Sequence, residues 1–285
     1  MANLIDGKSI AATLRRETAL EVKKLKSKGI TPGLAFVLVG DNNASQIYVK
    51  SKGKACDEAG IKNFLDCFPA DVSRAKLLAH IDGLNKNPEV HGILVQLPLP
   101  KQIDTKKILA SIDPKKDVDG LHPENIGKLA QQLPGLKPCT PQGVIALIES
   151  TGTKIAGKEA CVVGRSDIVG LPSALLLLHK NATVTLCHSQ TKKLEEKIGR
   201  ADILVAAIGK PKFIQGSWIK EGAIVIDVGI HKLADGKMVG DCDFEKALPH
   251  ASAITPVPGG VGPMTIAMLL KNTLEACHEQ TDTAL

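Results

Sequence analysis

The sequence predicts an α/β protein of two domains, each a parallel sheet flanked by helices. Short, fully apolar runs such as GLAFVLV (33–39) alternate along the chain with stretches of helical period, the pattern of strand–helix–strand units. At about 150 residues per domain, 285 residues suggest two domains. The segment LPGLKPCTP (133–141), with three prolines, marks a boundary between the halves.

The elements follow in order. Ile10, Leu14, Val22 and Leu25 share one face of a helix expected over 9–28 and ended by Gly29. Residues 33–39 read as a buried strand, and a helix follows a polar loop. Next come a strand at 63–68, a helix at 73–86 and the apolar run HGILVQL (91–97), which stops at Pro98 and Pro100. In the second half, helices are expected at 141–151, 168–179 and 191–199. Strands are expected at 160–163, 182–187, 202–206 and 223–228. A closing helix near 264–277 is expected to return to the first domain. The domains therefore read as 1–140 with 264–285, and 141–263.

Composition narrows the function. Hydrophobic residues at 44% and charged residues at 23% match soluble globular proteins and exclude disorder. Five Phe, one Trp and one Tyr leave few platforms for stacking nucleic-acid bases. A net charge of +6 favours anionic small molecules but is too diffuse to demand nucleic acid. Seven scattered cysteines without a C-x-x-C suggest neither a disulfide framework nor a zinc cluster, so no metal is expected. The start, MANLIDGKSIAATLRRE, lacks a leader pattern, and no apolar run reaches the roughly 18 residues of a membrane span. A cytoplasmic protein without a membrane partner is expected.

ACVVGRSDIVGLPSALLLL (160–178) reads as strand, glycine turn and helix, the setting in which backbone N–H groups and a helix N-terminus hold a pyrophosphate. Gly164 and Gly170 flank Ser166, a departure from G-x-G-x-x-G that leaves an ordinary turn as the alternative. The next strand, ATVTLCHS (182–189), ends without the acid that would hold a ribose 2′-hydroxyl. Arg165, Lys192 and Lys193 lie near in sequence, so NADP is favoured over NAD. His188 reads equally as a structural histidine, and Ser189 as the N-cap of the following helix.

A second set of residues lies in the first half. Tyr48 and Lys52, in DNNASQIYVKSK (41–52), are four apart and hence on one helix face. Gln96 ends an apolar strand, and Asp119 lies in the charged loop DPKKDVDGLHP (113–123), where Asp117 is the alternative acid and a turn-forming role the alternative reading. In a parallel sheet both positions fall at carboxyl ends of strands, where ligand crevices form. ITPVPGGVGPMTIAMLL (254–270) places Pro258, Gly259, Gly260, Val261 and Gly262 before a helix, with Pro263 suited to its first position.

These segments resemble the bifunctional methylenetetrahydrofolate dehydrogenase/methenyltetrahydrofolate cyclohydrolase family, bacterial FolD type, over essentially the whole chain. The matching blocks are SQIYVKSKGKAC, GILVQLPLP, DPKKDVDGLHP, KPCTPQGV, VVGRSDIVGLP, VTLCHSQT, IDVGI and ITPVPGGVGPMT. Cys242 in GDCDF stands where the family usually has valine. The resemblance implies an N-terminal α/β folate domain, a Rossmann-type NADP domain and a C-terminal helix returning to the first. It implies oxidation of 5,10-methylenetetrahydrofolate by NADP⁺ to the methenyl form, then hydrolysis to 10-formyltetrahydrofolate, without a metal. It places Tyr48, Lys52, Gln96 and Asp119 in the catalytic folate site, Lys52 serving hydrolysis and Asp119 the pterin end. Pro258, Gly259, Gly260, Val261 and Gly262 form a folate-side loop, while Gly164, Arg165, Ser166, Ser189 and Ile230 hold the cofactor. A cytosolic homodimer supplying purine, methionine and histidine synthesis is implied. Rival readings are an NADP-linked dehydrogenase of shikimate or amino-acid type, and a folate- or nucleotide-binding sensor without turnover. No G-x-x-x-x-G-K-[ST] loop or extra formyl-ligase domain is present in the sequence.

Overall fold

A computed structural model describes residues 2–282. The elements in the first part of the chain are β1 (Asn3–Leu4), α1 (Gly7–Ser27), β2 (Gly33–Val39), α2 (Asn43–Ala59), β3 (Lys62–Phe68), α3 (Arg74–Lys86), β4 (Gly92–Val95), α4 (Thr105–Leu109) and α5 (Pro123–Ala130). They are followed by α6 (Cys139–Glu149), β5 (Glu159–Val163), α7 (Gly170–His179), β6 (Thr183–Cys187), α8 (Leu194–Ile198), β7 (Ile203–Ala206) and β8 (Ala223–Asp227). The chain continues through β9 (His231–Lys232), β10 (Met238–Val239), α9 (Phe244–Ala247), β11 (Ala251–Ile254) and α10 (Val261–Gln280).

The chain forms two compact units, Thr13–Cys139 with Ile266–Leu285, and Met1–Ala12 with Thr140–Thr265. The first twelve residues belong to the second unit rather than the first. The reason is pairing: β1 extends the second sheet by running parallel to β11, with Asn3 opposite Ala253. A two-residue strand has no periodicity to read, so only its partner reveals it.

The first unit is built on a parallel sheet of order β3-β2-β4. Every residue of β2 is buried, as a central strand covered on both faces requires. Leu77 and Ile81 of α3 and Ile108 of α4 pack with Ala35, Val37, Ile93 and Val95 in one fully buried cluster, each large aliphatic side chain contributing about 1.5–3 kcal/mol by leaving water. β3 lies at an edge, and its residues are exposed or half-buried, none of them fully buried. Within this unit Gln280 of α10 donates from Nε2 to the His91 carbonyl at 2.8 Å, which ties the end of the last helix to the start of β4.

The second unit carries the parallel sheet β1-β11-β8-β7-β5-β6. It is doubly wound and Rossmann-type. β6 lies to one side of β5 and the later strands to the other, so the strand order reverses between β5 and β7, the position where such folds open a ligand crevice. Helix α8 is shorter than the expected 191–199, and α7 begins at Gly170 rather than 168. Cys242 is buried among Ile214, Val225 and Ala247, so a valine-sized apolar side chain suits its slot. All seven cysteines are free thiols. No helix among the described residues is long and apolar enough to cross a membrane.

Candidate functional site

Helix α2 presents the first group of residues. Its N-terminus is fixed by Asn42, whose side chain accepts from Ser45 N, and its C-terminus by Gly60 in the left-handed region at φ 77°. Tyr48 is 42% exposed and Lys52 is half-buried one turn later. Cys56, a further turn along, is fully buried, and burial pushes its thiol up to about 12. This helical face therefore passes from solvent to core, and Lys52 stands at the transition.

Gln96 continues β4 by one residue, donating from its backbone to Val37 O at 2.9 Å. Its side-chain Nε2 donates to Leu97 O at 2.7 Å, which fixes the amide orientation and turns Oε1 toward Lys52. Lys52 Nζ donates to Gln96 Oε1 at 3.0 Å. Two residues 44 apart in sequence thus meet as donor and acceptor.

The structure also separates the two acids of the charged loop. Asp117 is 1% exposed, and its Oδ2 accepts from His122 N at 2.7 Å and Asn125 Nδ2 at 2.9 Å. Its carboxylate serves the turn that begins α5. Asp119 keeps some accessible surface while protein atoms crowd it on most sides. That crowding pushes its carboxyl above the usual carboxylate range, and the Lys52 charge pulls it back. The Cys139 thiol donates to Val118 O at 3.1 Å and also lowers the Asp119 carboxyl.

Sequence reasoning missed Asn272. This wholly buried residue of α10 donates from Nδ2 to Val118 O and Lys137 O, both at 2.8 Å. It pins the strand-like ends that carry Asp119 and Cys139. Gly120, at φ 73°, permits the approach, because a Cβ there would lie 2.3 Å from the Lys137 carbonyl carbon. An asparagine, a poor helix former, within the apolar-rich helical stretch TIAMLLKNTLEA was the available signal.

The second group surrounds the end of β5. Gly164 has φ 123°, and a Cβ there would lie 1.9 Å from Ala207 O. Gly170 is equally constrained, since its Cβ would lie 2.0 Å from Gly164 O. Backbone therefore packs on backbone, and the five residues between them form an open turn at the N-terminus of α7. Ser166 Oγ accepts from Val169 N at 3.3 Å and Gly170 N at 3.4 Å, so this serine shapes the helix entry. Arg165, Ser166 and Ser189 are exposed, and Ile230 is 47% exposed beyond the end of β8. An exposed turn between a strand end and a helix N-terminus is the setting in which a pyrophosphate can be held, and the two glycines let the turn pack tightly on backbone.

His188 is half-buried and structural: its Nδ1 accepts from Gln190 N at 3.2 Å, and its backbone N–H donates to Thr191 Oγ1 at 2.8 Å. Ser189 does not cap α8, whose N-cap position is Lys193. The glycine-proline loop is well shaped. Gly259 has φ 110°, and a Cβ on Gly260 would lie 2.7 Å from Pro256 O. Gly7 packs against it so closely that a Cβ would lie 1.9 Å from Gly260 O. Helix α10 starts at Val261, so Val261 and Gly262 lie in its first turn and Pro263 occupies the third position instead of the first.

A family model for the tetrahydrofolate dehydrogenase/cyclohydrolase catalytic domain matches residues 5–119, and the model for the NAD(P)-binding domain of the same family matches 138–281. The chain belongs to the tetrahydrofolate dehydrogenase/cyclohydrolase family. It is 58% identical over 280 residues to the bifunctional protein FolD of Geotalea uraniireducens, covering 98% of this chain and 100% of that protein. The crystal structure of the bifunctional FolD methylenetetrahydrofolate dehydrogenase/cyclohydrolase from Campylobacter jejuni superposes with a TM-score of 0.96 at 49% identity, covering 98% and 99% of the two chains. That of the Trypanosoma brucei dehydrogenase-cyclohydrolase, complexed with NADP cofactor and inhibitor, gives 0.94 at 42% identity, with 99% of each chain covered. Shikimate 5-dehydrogenase from Thermus thermophilus gives 0.52 at 15% identity, a likeness of fold alone.

Proposed function

We propose that the chain is a bifunctional folate one-carbon enzyme, oxidising 5,10-methylenetetrahydrofolate with NADP⁺ and hydrolysing the methenyl product to 10-formyltetrahydrofolate. The observation that carries the proposal is the Lys52 Nζ to Gln96 Oε1 contact at 3.0 Å in the electrostatic range of Asp119. NADP⁺ supplies the hydride acceptor. Asp119 offers a carboxylate edge matched to the paired N–H groups of a pterin, a charge-assisted fork stronger than neutral bonds. Its role is binding and orientation.

Oxidation leaves a cation delocalised over two nitrogens, which asks the protein for positioning rather than for a base. Hydrolysis asks for more, because an attacking water must lose a proton and a ring nitrogen must gain one. Lys52 carries that proton, held by Gln96, with Tyr48 one turn away lining the same face. Pro258, Gly259, Gly260, Val261 and Gly262 line the folate side. Gly164, Arg165, Ser166, Ser189 and Ile230 receive the dinucleotide, with Arg165 and Ser189 at the 2′-phosphate. The exposed turn between Gly164 and Gly170 at the start of α7 supports this, since its glycines let the strand end and the helix entry pack backbone on backbone.

We place the protein in the cytoplasm, supplying one-carbon units to purine, methionine and histidine synthesis. It acts as a homodimer without nucleic-acid or membrane partners. The edge strand β3, with Leu65 52% exposed, supports a dimer. The reaction is tested by mixing purified protein with methylenetetrahydrofolate and either NADP⁺ or NAD⁺ while following reduced cofactor and formyl product together. Light scattering tests the dimer. NADPH release without formyl product, or no turnover at all, overturns the bifunctional reading.

A further inference from the structure

Two carboxylates outside the residues assigned above are buried at the carboxyl ends of β7 and β8. Asp227 is 3% exposed and Asp241 has no accessible surface. Asp241 accepts four hydrogen bonds: Oδ2 from Ile208 N at 2.6 Å and Gly209 N at 3.0 Å, and Oδ1 from Lys210 N at 2.9 Å and His231 Nε2 at 2.8 Å. Opposite a carboxylate the imidazole nitrogen is the donor. Asp227 in turn accepts from the backbone of Gly229, Asp241 and Cys242, which fixes the chain that carries Asp241. Two glycines make room for the pair. A Cβ on Gly229 would lie 2.5 Å from Asp241 Oδ1, and one on Gly240 would lie 2.0 Å from Asp227 Oδ2.

The place of this cluster gives it meaning. A doubly wound sheet opens its ligand crevice where strand order reverses, here between β5 and β7. The turn Ile208–Lys210 leaves β7 at that point, next to Ala207, whose carbonyl is in contact with Gly164. His231 directly follows Ile230. One buried carboxylate therefore joins the β7 turn to the segment that presents Ile230. A buried anion with four N–H donors is a strong, fully satisfied network, and such networks hold one geometry.

We infer that Asp241, acting through His231, is a positioning residue for the dinucleotide, holding the Ile208–Lys210 turn and Ile230 in the geometry that receives NADP⁺. The inference rests on reading Gly164 and Ile230 as the cofactor site. His231 is the accessible part of the clamp, with its side chain 21% exposed, so its replacement spares the core.

The test uses the full chain with His231→Ala and His231→Gln, measuring NADP⁺ affinity by calorimetry, Michaelis constants for both substrates, and thermal unfolding. His231→Ala is expected to weaken NADP⁺ binding about ten-fold, the scale of one lost hydrogen bond to a charged group. The Michaelis constant for methylenetetrahydrofolate should stay within about two-fold, since folate binding does not use this clamp, and Tm within about 3 °C. His231→Gln, whose amide N–H reaches the same carboxylate, should recover most of the affinity. Unchanged NADP⁺ affinity in His231→Ala overturns the inference, as does failure of the Gln variant to recover, or equal losses for cofactor and folate. A parent protein that binds no NADP⁺ overturns the cofactor-site reading as well, whereas a parent that binds it while both variants match it removes the clamp alone.

Discussion

Replacing Lys52 by Met keeps most of the length of the side chain and removes its charge and its donor. Two consequences follow from the geometry. Gln96 Oε1 loses the donor at 3.0 Å, and hydrolysis loses the group proposed to move its proton. Positioned proton transfer contributes about 10²–10⁴-fold, so cyclohydrolase activity should fall by about that factor. NADP-linked oxidation, which needs no base, should survive measurably. The second consequence concerns Asp119, whose carboxyl burial raises and Lys52 lowers. Without that cation its folded-state value rises further. Because the pterin contact needs the ionised carboxylate, the Michaelis constant for folate should climb as pH falls, and in Lys52→Met that climb should begin at a higher pH than in the parent. The assay follows both activities and the folate Michaelis constant from pH 5 to about 9. Cyclohydrolase turnover within about three-fold of the parent, or superimposable pH profiles for folate, would refute the reasoning.

Three further outcomes are expected. Gly164→Ala forces a side chain into positive φ and onto the Ala207 carbonyl at 1.9 Å, costing about 1–3 kcal/mol for backbone strain and a similar amount for displaced backbone, read from urea midpoints together with weaker NADP⁺ binding. Exchanging Arg165 and Ser189 together for leucine and alanine should raise the Michaelis constant for NADP⁺ about ten-fold more than that for NAD⁺, measured by steady-state kinetics; equal changes count against the 2′-phosphate assignment. Burial displaces the Asp227 carboxyl from 3.8 to about 6, so between about pH 4 and 6 the folded chain holds a proton that the unfolded chain has released. Stability from this group therefore declines as pH rises through that window, by about 3 kcal/mol in all. Asp227→Asn cannot titrate, and the difference between parent and variant in denaturation at pH 4 and 7 should show that slope.

Much of the molecule is legible in short stretches of chain. β2 declares itself through seven consecutive apolar residues, and the cofactor turn through a glycine placed between a β-branched strand and an apolar helix. Other elements are invisible locally. β1 has two residues, β9 and β10 two each, and they exist only through their partners. The start of α10 at Val261 departs from the preference of proline for the first helical position, because Gly7, the Thr255 side chain and the Pro256 carbonyl pack against the loop and hold it in place.

The sequence by itself determined the alternation of strands and helices, the one-turn spacing of Tyr48 and Lys52, and the glycines of the phosphate turn, since these depend on forces acting over a few residues. Only the tertiary structure decided that Asp117 is buried and hydrogen-bonded while Asp119 keeps accessible surface, that Lys52 donates to Gln96, and that Asn272 and Asp241 fix the surrounding segments. Those choices turn on hydrogen bonds between groups distant in sequence, and burial gives such bonds their strength only once the chain has packed.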